Sequence, residues 1–233
     1  MISIIIPTYN ERENIIKLIP AIQIILYKSN LEHEMVIVDD NSPDHTALEI
    51  NKKFNNKNIR LFIRKKERGL GSALLFGIKK ARGNIIVGMD ADFNHPPEAI
   101  TRLINKLENH DLVIASRFIK GGGMEDKVRY FFTYIFNLFL KYILGFPTMD
   151  NMSGFYAIRK EKLFKLPINS IYTGYGEYHL ILIYSAKKQG FIIKEIPVFY
   201  PKRKYGKSKT NFFQVLFIYL LVAIKLRIKI EEN

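Results

Sequence analysis

Ile85-Ile86-Val87-Gly88-Met89-Asp90-Ala91-Asp92-Phe93-Asn94-His95-Pro96-Pro97 joins an apolar run to two carboxylates one residue apart. The run reads as a buried strand, and the prolines mark the approach to a helix. If the extended geometry continues past Met89, then Asp90, Asp92 and Asn94 share one face, because strand side chains alternate with period two. Three oxygen-bearing groups at a strand's carboxyl end suit a hard dication, Mg²⁺ or Mn²⁺, with positions left over for phosphate oxygens. An isolated Asp-x-Asp is as often a plain polar loop, so its weight depends on what surrounds it.

Outward from this stretch the pattern recurs. Strands are predicted at Ile2–Ile6, Met35–Val38, Ile59–Ile63, Ile85–Met89 and Leu112–Ala115, and helices at Asn14–Tyr27, His45–Phe54, Gly71–Ala81 and Pro97–Leu107. A β-α-β-α order predicts an α/β fold whose mostly parallel sheet is covered on both faces. Such sheets bind ligands beyond the carboxyl ends of their strands. Polar clusters stand at those ends: Thr8-Tyr9-Asn10-Glu11, Asp39-Asp40-Asn41-Ser42 and Asp90-Ala91-Asp92. Three clusters at equivalent ends point to one shared crevice. Pro7 stands where a glycine-rich phosphate turn would begin, which argues against a nicotinamide or flavin site. Gly69-Leu70-Gly71 lacks the rest of a P-loop and reads as a tight, closely packed helix entry.

The chain has 233 residues, enough for one α/β domain with a sizeable core. It has no Cys, which excludes disulfides, thiolate metal sites and cysteine nucleophiles. The first residues enter a strand at once, so no signal peptide is expected and the default location is intracellular. Net charge is +14 and unevenly placed: residues 117–233 carry 20 Lys and Arg against 8 Asp and Glu, residues 1–116 carry 16 against 14. The basic half calls for an anionic partner. No nucleic-acid-binding motif is present and the acidic crevice would repel such a ligand, which leaves a membrane surface or a lipid phosphate. Val128–Phe146 and Asn211–Ile230 are apolar nearly all round, rich in Phe and Tyr, and the second ends in Lys225, Arg227 and Lys229. Their uninterrupted apolar runs stay short of the about 20 residues that a bilayer span needs. Aromatic helices with basic flanks are expected in the headgroup region, with core helices or a partner interface as the alternative. Between them, Tyr200-Pro201-Lys202-Arg203-Lys204-Tyr205-Gly206-Lys207-Ser208-Lys209 reads as a loop able to close over phosphates.

Ile4-Ile5-Ile6-Pro7-Thr8-Tyr9-Asn10-Glu11, Val36-Ile37-Val38-Asp39-Asp40-Asn41-Ser42-Pro43-Asp44, Asp90-Ala91-Asp92-Phe93-Asn94-His95-Pro96, Ala115-Ser116-Arg117-Phe118, Ser153-Gly154-Phe155, Glu195-Ile196-Pro197 and Arg203 to Lys209 form an ordered series through nearly the whole chain. In that series the chain resembles the family 2 inverting glycosyltransferases, and within them the dolichol-phosphate mannose synthases. The resemblance implies a single Rossmann-like nucleotide-sugar-binding domain of the GT-A type over residues 1–233. Residues 1–116 would form its nucleotide-sugar half, 117–210 its acceptor half, and 127–146 and 211–230 its amphipathic interfacial helices. It implies that Pro7, Tyr9, Glu11, Ile37 and Asp39 hold base and ribose, and that Asp90, Ala91, Asp92 and Asn94 hold the diphosphate and its Mg²⁺ or Mn²⁺. Asn94 stands where the family often carries Gln. Arg117, Lys127 and Arg129 would meet the lipid phosphate, and Arg203 and Lys209 match the family's basic loop.

The reaction implied is inverting transfer of a hexose to a polyprenyl phosphate by a peripheral protein on the cytoplasmic face of a membrane, with Asp92, Arg117 and Arg129 as the principal catalytic groups. Mannose from GDP-mannose is the leading expectation. Glucose from UDP-glucose is the alternative, because Gly174-Tyr175-Gly176-Glu177-Tyr178-His179 looks closer to other polyprenyl-phosphate glycosyltransferases. A third reading keeps the fold but uses a sugar hydroxyl as acceptor, with Asp150 or Glu177 as its base, although Asp150, just before Asn151-Met152-Ser153-Gly154, is expected rather to orient a loop or contact the donor sugar. An integral-membrane subunit is left open as an anchoring partner. His95 is expected to be a turn residue and His179 a partly buried structural one.

Overall fold

The computed structural model describes residues 1–203, 205 and 212–231. Its first part alternates as expected: β1 (Ile2–Thr8), α1 (Arg12–Lys28), β2 (His33–Asp39), α2 (Thr46–Lys53), β3 (Ile59–Ile63), α3 (Leu70–Lys80), β4 (Ile85–Gly88), α4 (Ala99–Lys106) and β5 (Leu112–Ser116). There follow β6 (Gly123–Met124), α5 (Lys127–Tyr142), β7 (Tyr156–Arg159), α6 (Lys160–Leu163), α7 (Ile168–Ile171), α8 (Glu177–Lys188), β8 (Ile193–Pro197), β9 (Phe199–Tyr200) and α9 (Phe212–Glu231). Among the described residues, seven strands form one sheet in the order β3-β2-β1-β4-β7-β5-β8, and β6 pairs with β9 in a second, small sheet.

The apolar runs explain the layering. β1 and β2 are buried along nearly their whole length, as strands covered on both faces must be. Ile4 and Ile6 point into the core under α1 and α4, whereas Ile5 points to the opposite face under α3. α1 offers Ile15, Leu18, Ile19, Ile22 and Leu26 to that first core at helical spacing. α8 offers Tyr178, Leu182, Ile183 and Ala186 to the second.

Two features depart from the sequence reading. β7 runs antiparallel between β4 and β5, with Ala157 opposite both Val87 and Val113, so a strand from the basic half lies inside the sheet. The extended geometry also ends at Gly88, and Phe93 takes a φ of 66°. Asp90, Asp92 and Asn94 therefore do not line up as alternate positions of a strand. They lie on a turn closed by the Asp90 N–H, which donates to Nδ1 of the buried His95 at 2.8 Å.

α5 and α9 pack with α8 in a third cluster that includes Leu140, Tyr184, Tyr219 and Ala223. Their other faces leave Val128, Phe131, Phe132, Ile135, Phe217, Leu221 and Ile228 exposed. No helix among the described residues is long and apolar enough to cross a membrane.

Candidate active site

The first helix amides need acceptors that Glu11, at the N-cap of α1, does not supply. The neighbouring loop supplies them: Asn10 N–H donates to Ser42 Oγ at 2.9 Å, Glu11 N–H to Thr46 Oγ1 at 3.2 Å and Arg12 N–H to Asp44 Oδ2 at 3.1 Å. The β1–α1 and β2–α2 loops are thus stitched into one rim. Asp39 lies under the rim with no exposed surface and accepts from Thr8 Oγ1, Ser42 Oγ and Ser42 N–H. Ile37 and Pro7 are buried in the sheet beneath it, with Pro7 opposite Val38. Tyr9 lies at the mouth, its ring 4.1 Å from the Arg68 guanidinium. Asp40, in the same cluster by sequence, faces away and holds Arg64 bidentately at 2.7 and 2.8 Å.

Across the crevice, Asp92 accepts from the backbone N–H and the side-chain Nδ2 of Asn94, both at 3.1 Å. Ala91 is buried in the core below. Desolvation, and then the Glu11 carboxylate, push Asp90 up to about 6. Desolvation and then Asp90 raise Asp92 as well. Carboxylates that repel one another need a cation, and Arg203 supplies one. Its guanidinium pairs with Glu11 and lies 3.4 Å from Asp92, while its Nε–H donates to the Tyr205 carbonyl at 2.7 Å. Asp92, which already draws a guanidinium, and the neighbouring Asp90 are hard oxygen donors that fit a divalent cation, with the remaining positions open to a diphosphate. Among the described residues no group of three His, Cys, Asp or Glu could hold a metal unaided. Lys209 lies outside the described residues.

The cationic side is built on β5 and α5. Arg117 is buried, and its Nε and Nη2 donate to the two Asp150 oxygens at 2.7 Å each, with its backbone N–H adding a third bond at 2.9 Å. Burial alone would raise the Asp150 pKa, but the Arg117 charge and its hydrogen bonds override that and hold the carboxyl below its ordinary range. Nη1 is left without a hydrogen-bond partner among the described residues. Arg129, on the first turn of α5, places its guanidinium 5.8 Å from the Phe212 ring. Desolvation, and then the like charge of Arg117, pull its pKa below the ordinary arginine value. Two converging cations, one already paired and one not, make a place for an anion. One turn further, the buried Thr133 Oγ1 has no partner among the described residues. Lys127 opens α5 and is exposed.

Several residues named from the sequence have partners there that the sequence did not show. Asp150 proves to be the partner of Arg117, and Glu177 turns its carboxylate onto the Tyr175 N–H at 3.0 Å, beside Gly174. His95 is more than a turn residue. Its Nε2–H donates to the Ser153 carbonyl at 3.0 Å, its ring stacks on Phe155 at 4.8 Å, and burial lowers its pKa to about 4. No spacing rule connects residues 58 or 33 positions apart, so only the folded contacts reveal these pairs.

The chain is 39% identical over 227 residues to a dolichol-phosphate mannosyltransferase of Pyrococcus furiosus, an alignment covering 94% of this chain and 61% of that protein. This chain therefore spans about three fifths of that relative's length. It is 31% identical over 216 residues to a polyprenol monophosphomannose synthase of Mycolicibacterium smegmatis, covering 89% of this chain and 80% of the relative. Among solved structures, the glucosyl-3-phosphoglycerate synthase of Mycobacterium tuberculosis in complex with Mn²⁺, UDP and phosphoglyceric acid superposes with a TM-score of 0.73 at 20% identity, over 97% of this chain and 78% of that one. That likeness is one of fold, the expected GT-A type. The family model for glycosyl transferase family 2 matches residues 3–166, from the first strand through the acidic turn, Arg117 and β7, and the chain belongs to that family.

Proposed function

We propose that this chain transfers a hexose from a nucleoside diphosphate to a polyprenyl phosphate, with inversion at the anomeric carbon, while resting peripherally on a membrane. The observation that carries this reading is the pairing of two opposite half-sites on one loop. Ser153 holds His95, which holds the Asp90 amide, and Asp150 holds Arg117. An acidic rim suited to a cation-bound diphosphate thus faces a cationic pocket suited to a phosphate monoester.

In this reading Tyr9, Glu11 and the rim around Asp39 seat the nucleoside, and Arg117 Nη1, Arg129 and Thr133 Oγ1 seat the acceptor phosphate. A divalent cation on Asp90 and Asp92 would offset the charge that collects on the departing diphosphate. The acceptor oxygen attacks C1 of the sugar, the bond from C1 to the diphosphate oxygen breaks, and the electron pair leaves with the nucleoside diphosphate. A phosphate monoester with a second pKa of about 6 is already anionic near neutral pH, so no general base is needed. The commitment of Asp150 to Arg117 agrees with that chemistry. Orientation is then the protein's main contribution.

Mannose is the preferred sugar, supported by the names of both curated relatives, and GDP-mannose is the donor proposed for it. The full chain is tested with GDP-mannose or UDP-glucose, with Mg²⁺ or Mn²⁺, against polyprenyl phosphate and a free sugar side by side. A glycosyl phosphate lipid of inverted configuration, formed only with a dication, is the expected product. Transfer to the free sugar alone would overturn the acceptor assignment. UDP-glucose as the better donor would overturn the sugar.

A further inference from the structure

The segment from Thr148 to Ser153 has no regular structure, yet Thr148, Asp150, Asn151 and Ser153 are all buried. Buried polar groups are costly unless satisfied, and a satisfied network fixes one geometry. Here each is satisfied, and the two ends are anchored differently. At the far end Ser153 Oγ hydrogen-bonds Tyr200 Oη at 2.6 Å, and β7 begins three residues later. At the near end Glu195 accepts the Met149 and Asp150 N–H groups at 2.8 and 3.1 Å. The remaining anchor comes from α5. Asn137, with no exposed surface, accepts the Asn151 backbone N–H at 2.7 Å and the Asn151 Nδ2 at 3.2 Å, and donates to the Thr133 carbonyl at 2.9 Å. Thr148 Oγ1 closes the arrangement on Asn151 Oδ1 at 2.5 Å.

We propose that Asn137 is a positioning residue for the acceptor side of the site: it joins the helix bearing Arg129 and Thr133 to the loop whose Asp150 aims Arg117. This rests on the proposed function. Asn137 contributes no atom to either half-site, but its hydrogen bonds run to the Thr133 carbonyl on one side and to Asn151, the neighbour of Asp150, on the other. Arg129 and Thr133 ride on the same helix, eight and four residues earlier, and Asn151 is the direct neighbour of Asp150. Loss of the joint lets α5 and the Asp150–Arg117 pair shift relative to each other, so Nη1 and the Arg129 guanidinium no longer converge. The donor side is insulated, because His95 hangs from Ser153, which Tyr200 and β7 hold independently.

The test compares Asn137→Ala and Asn137→Asp with the wild-type chain. The alanine removes the oxygen that Asn151 needs. The aspartate keeps that oxygen, and burial favours its protonated form, which also keeps a donor toward Thr133. KM for polyprenyl phosphate should rise about tenfold in Asn137→Ala, the effect of weakening about one hydrogen bond to the acceptor phosphate. KM for the sugar nucleotide, and nucleotide affinity measured without acceptor, should stay within about twofold. Asn137→Asp should return to the wild-type acceptor KM. An unchanged acceptor KM in the alanine variant, or equal rises for donor and acceptor, overturns the proposal. If the alanine variant does not fold, a folded aspartate variant with a raised acceptor KM overturns it just as well. A wild-type chain that ignores polyprenyl phosphate would instead sink the proposed function, a separate outcome.

Discussion

Arg203 bridges Glu11 and Asp92, so any dication that settles on the acidic rim has to displace a guanidinium. Replacing it should therefore separate two properties that usually fall together. In Arg203→Ala, Mn²⁺ affinity without nucleotide, read from the free-ion EPR signal, should rise about tenfold, because one close competing charge is gone. Asp92→Asn should lose Mn²⁺ binding in the same measurement. Equal Mn²⁺ affinity in wild type and Arg203→Ala would show that guanidinium and metal do not compete. His179 makes a prediction of another kind. Its ring has no exposed surface, neither nitrogen has a hydrogen-bond partner among the described residues, and burial lowers its pKa to about 3. Above pH 6.5 it is neutral folded or unfolded and adds no pH dependence. Below 6.5 the unfolded chain takes up the proton first, so stability falls with pH until about 3. His179→Phe should remove about 2 kcal/mol of the loss between pH 7 and pH 5, visible as a flatter Tm-against-pH curve. His95 keeps part of the slope, so a curve identical to wild type, rather than one merely sloping, refutes the assignment. The sequence pointed to a partly buried, structural His179, but not to a fully buried ring whose nitrogens lack partners, since neighbours such as Tyr156 reach it only through folding.

At the scale of elements, strands were legible where they were long and apolar, and helices where their stripes had a 3.6-residue period. The helix entry at Gly69-Leu70-Gly71 was legible for a related reason, because glycine marks close approach. Gly69 takes a φ of 150°, and a Cβ on Gly71 would lie 2.5 Å from the Thr173 carbonyl oxygen. The loop before α8 thus docks directly on the first turn of α3, through a Gly71 N–H to Gly174 carbonyl bond of 3.1 Å. Gly71→Ala cannot be relieved by a side-chain rotation, since the obstacle is backbone. It should cost about 1–3 kcal/mol, measured as a lowered urea midpoint with unchanged slope. A stability within error of wild type would mean that the loop moves aside freely. β7 escaped the sequence reading because four residues, Tyr156 to Arg159, are too few to show a period. Its place between β4 and β5 is set by long-range pairing that no local pattern encodes. The same limit applies to the acidic turn. The alternation of Asp90, Asp92 and Asn94 was real in sequence, but His95, caught between Phe155 and Tyr200, captures the Asp90 amide and bends the chain before the alternation can act.

For the whole molecule, the charge asymmetry and the third cluster bear on the proposed contact of the chain with a lipid surface. The acidic rim and the pair Arg117 and Arg129 form a polar site, while α5 and α9 carry large apolar side chains that nothing among the described residues covers. Phe131 is 57% exposed and Phe217 60%, each on a helix whose opposite face is buried in the third cluster. The Arg129 guanidinium lies against Phe212 and links the start of one helix to the start of the other. Cations alone would give vesicle binding that vanishes as salt screens them, with a Debye length of about 10 Å at 0.1 M. Inserted aromatic rings would leave a component that salt does not remove. Cosedimentation with anionic vesicles should therefore fall as salt rises, then level off. Phe131→Asp and Phe217→Asp should each weaken the salt-resistant part about tenfold, in line with the ~1.5 kcal/mol or more that burying such a ring contributes. Nucleotide binding in solution should be untouched, because neither ring borders the acidic rim. Binding that disappears entirely at high salt in the wild type would reduce the exposed aromatic faces to bystanders and leave net charge as the whole attraction.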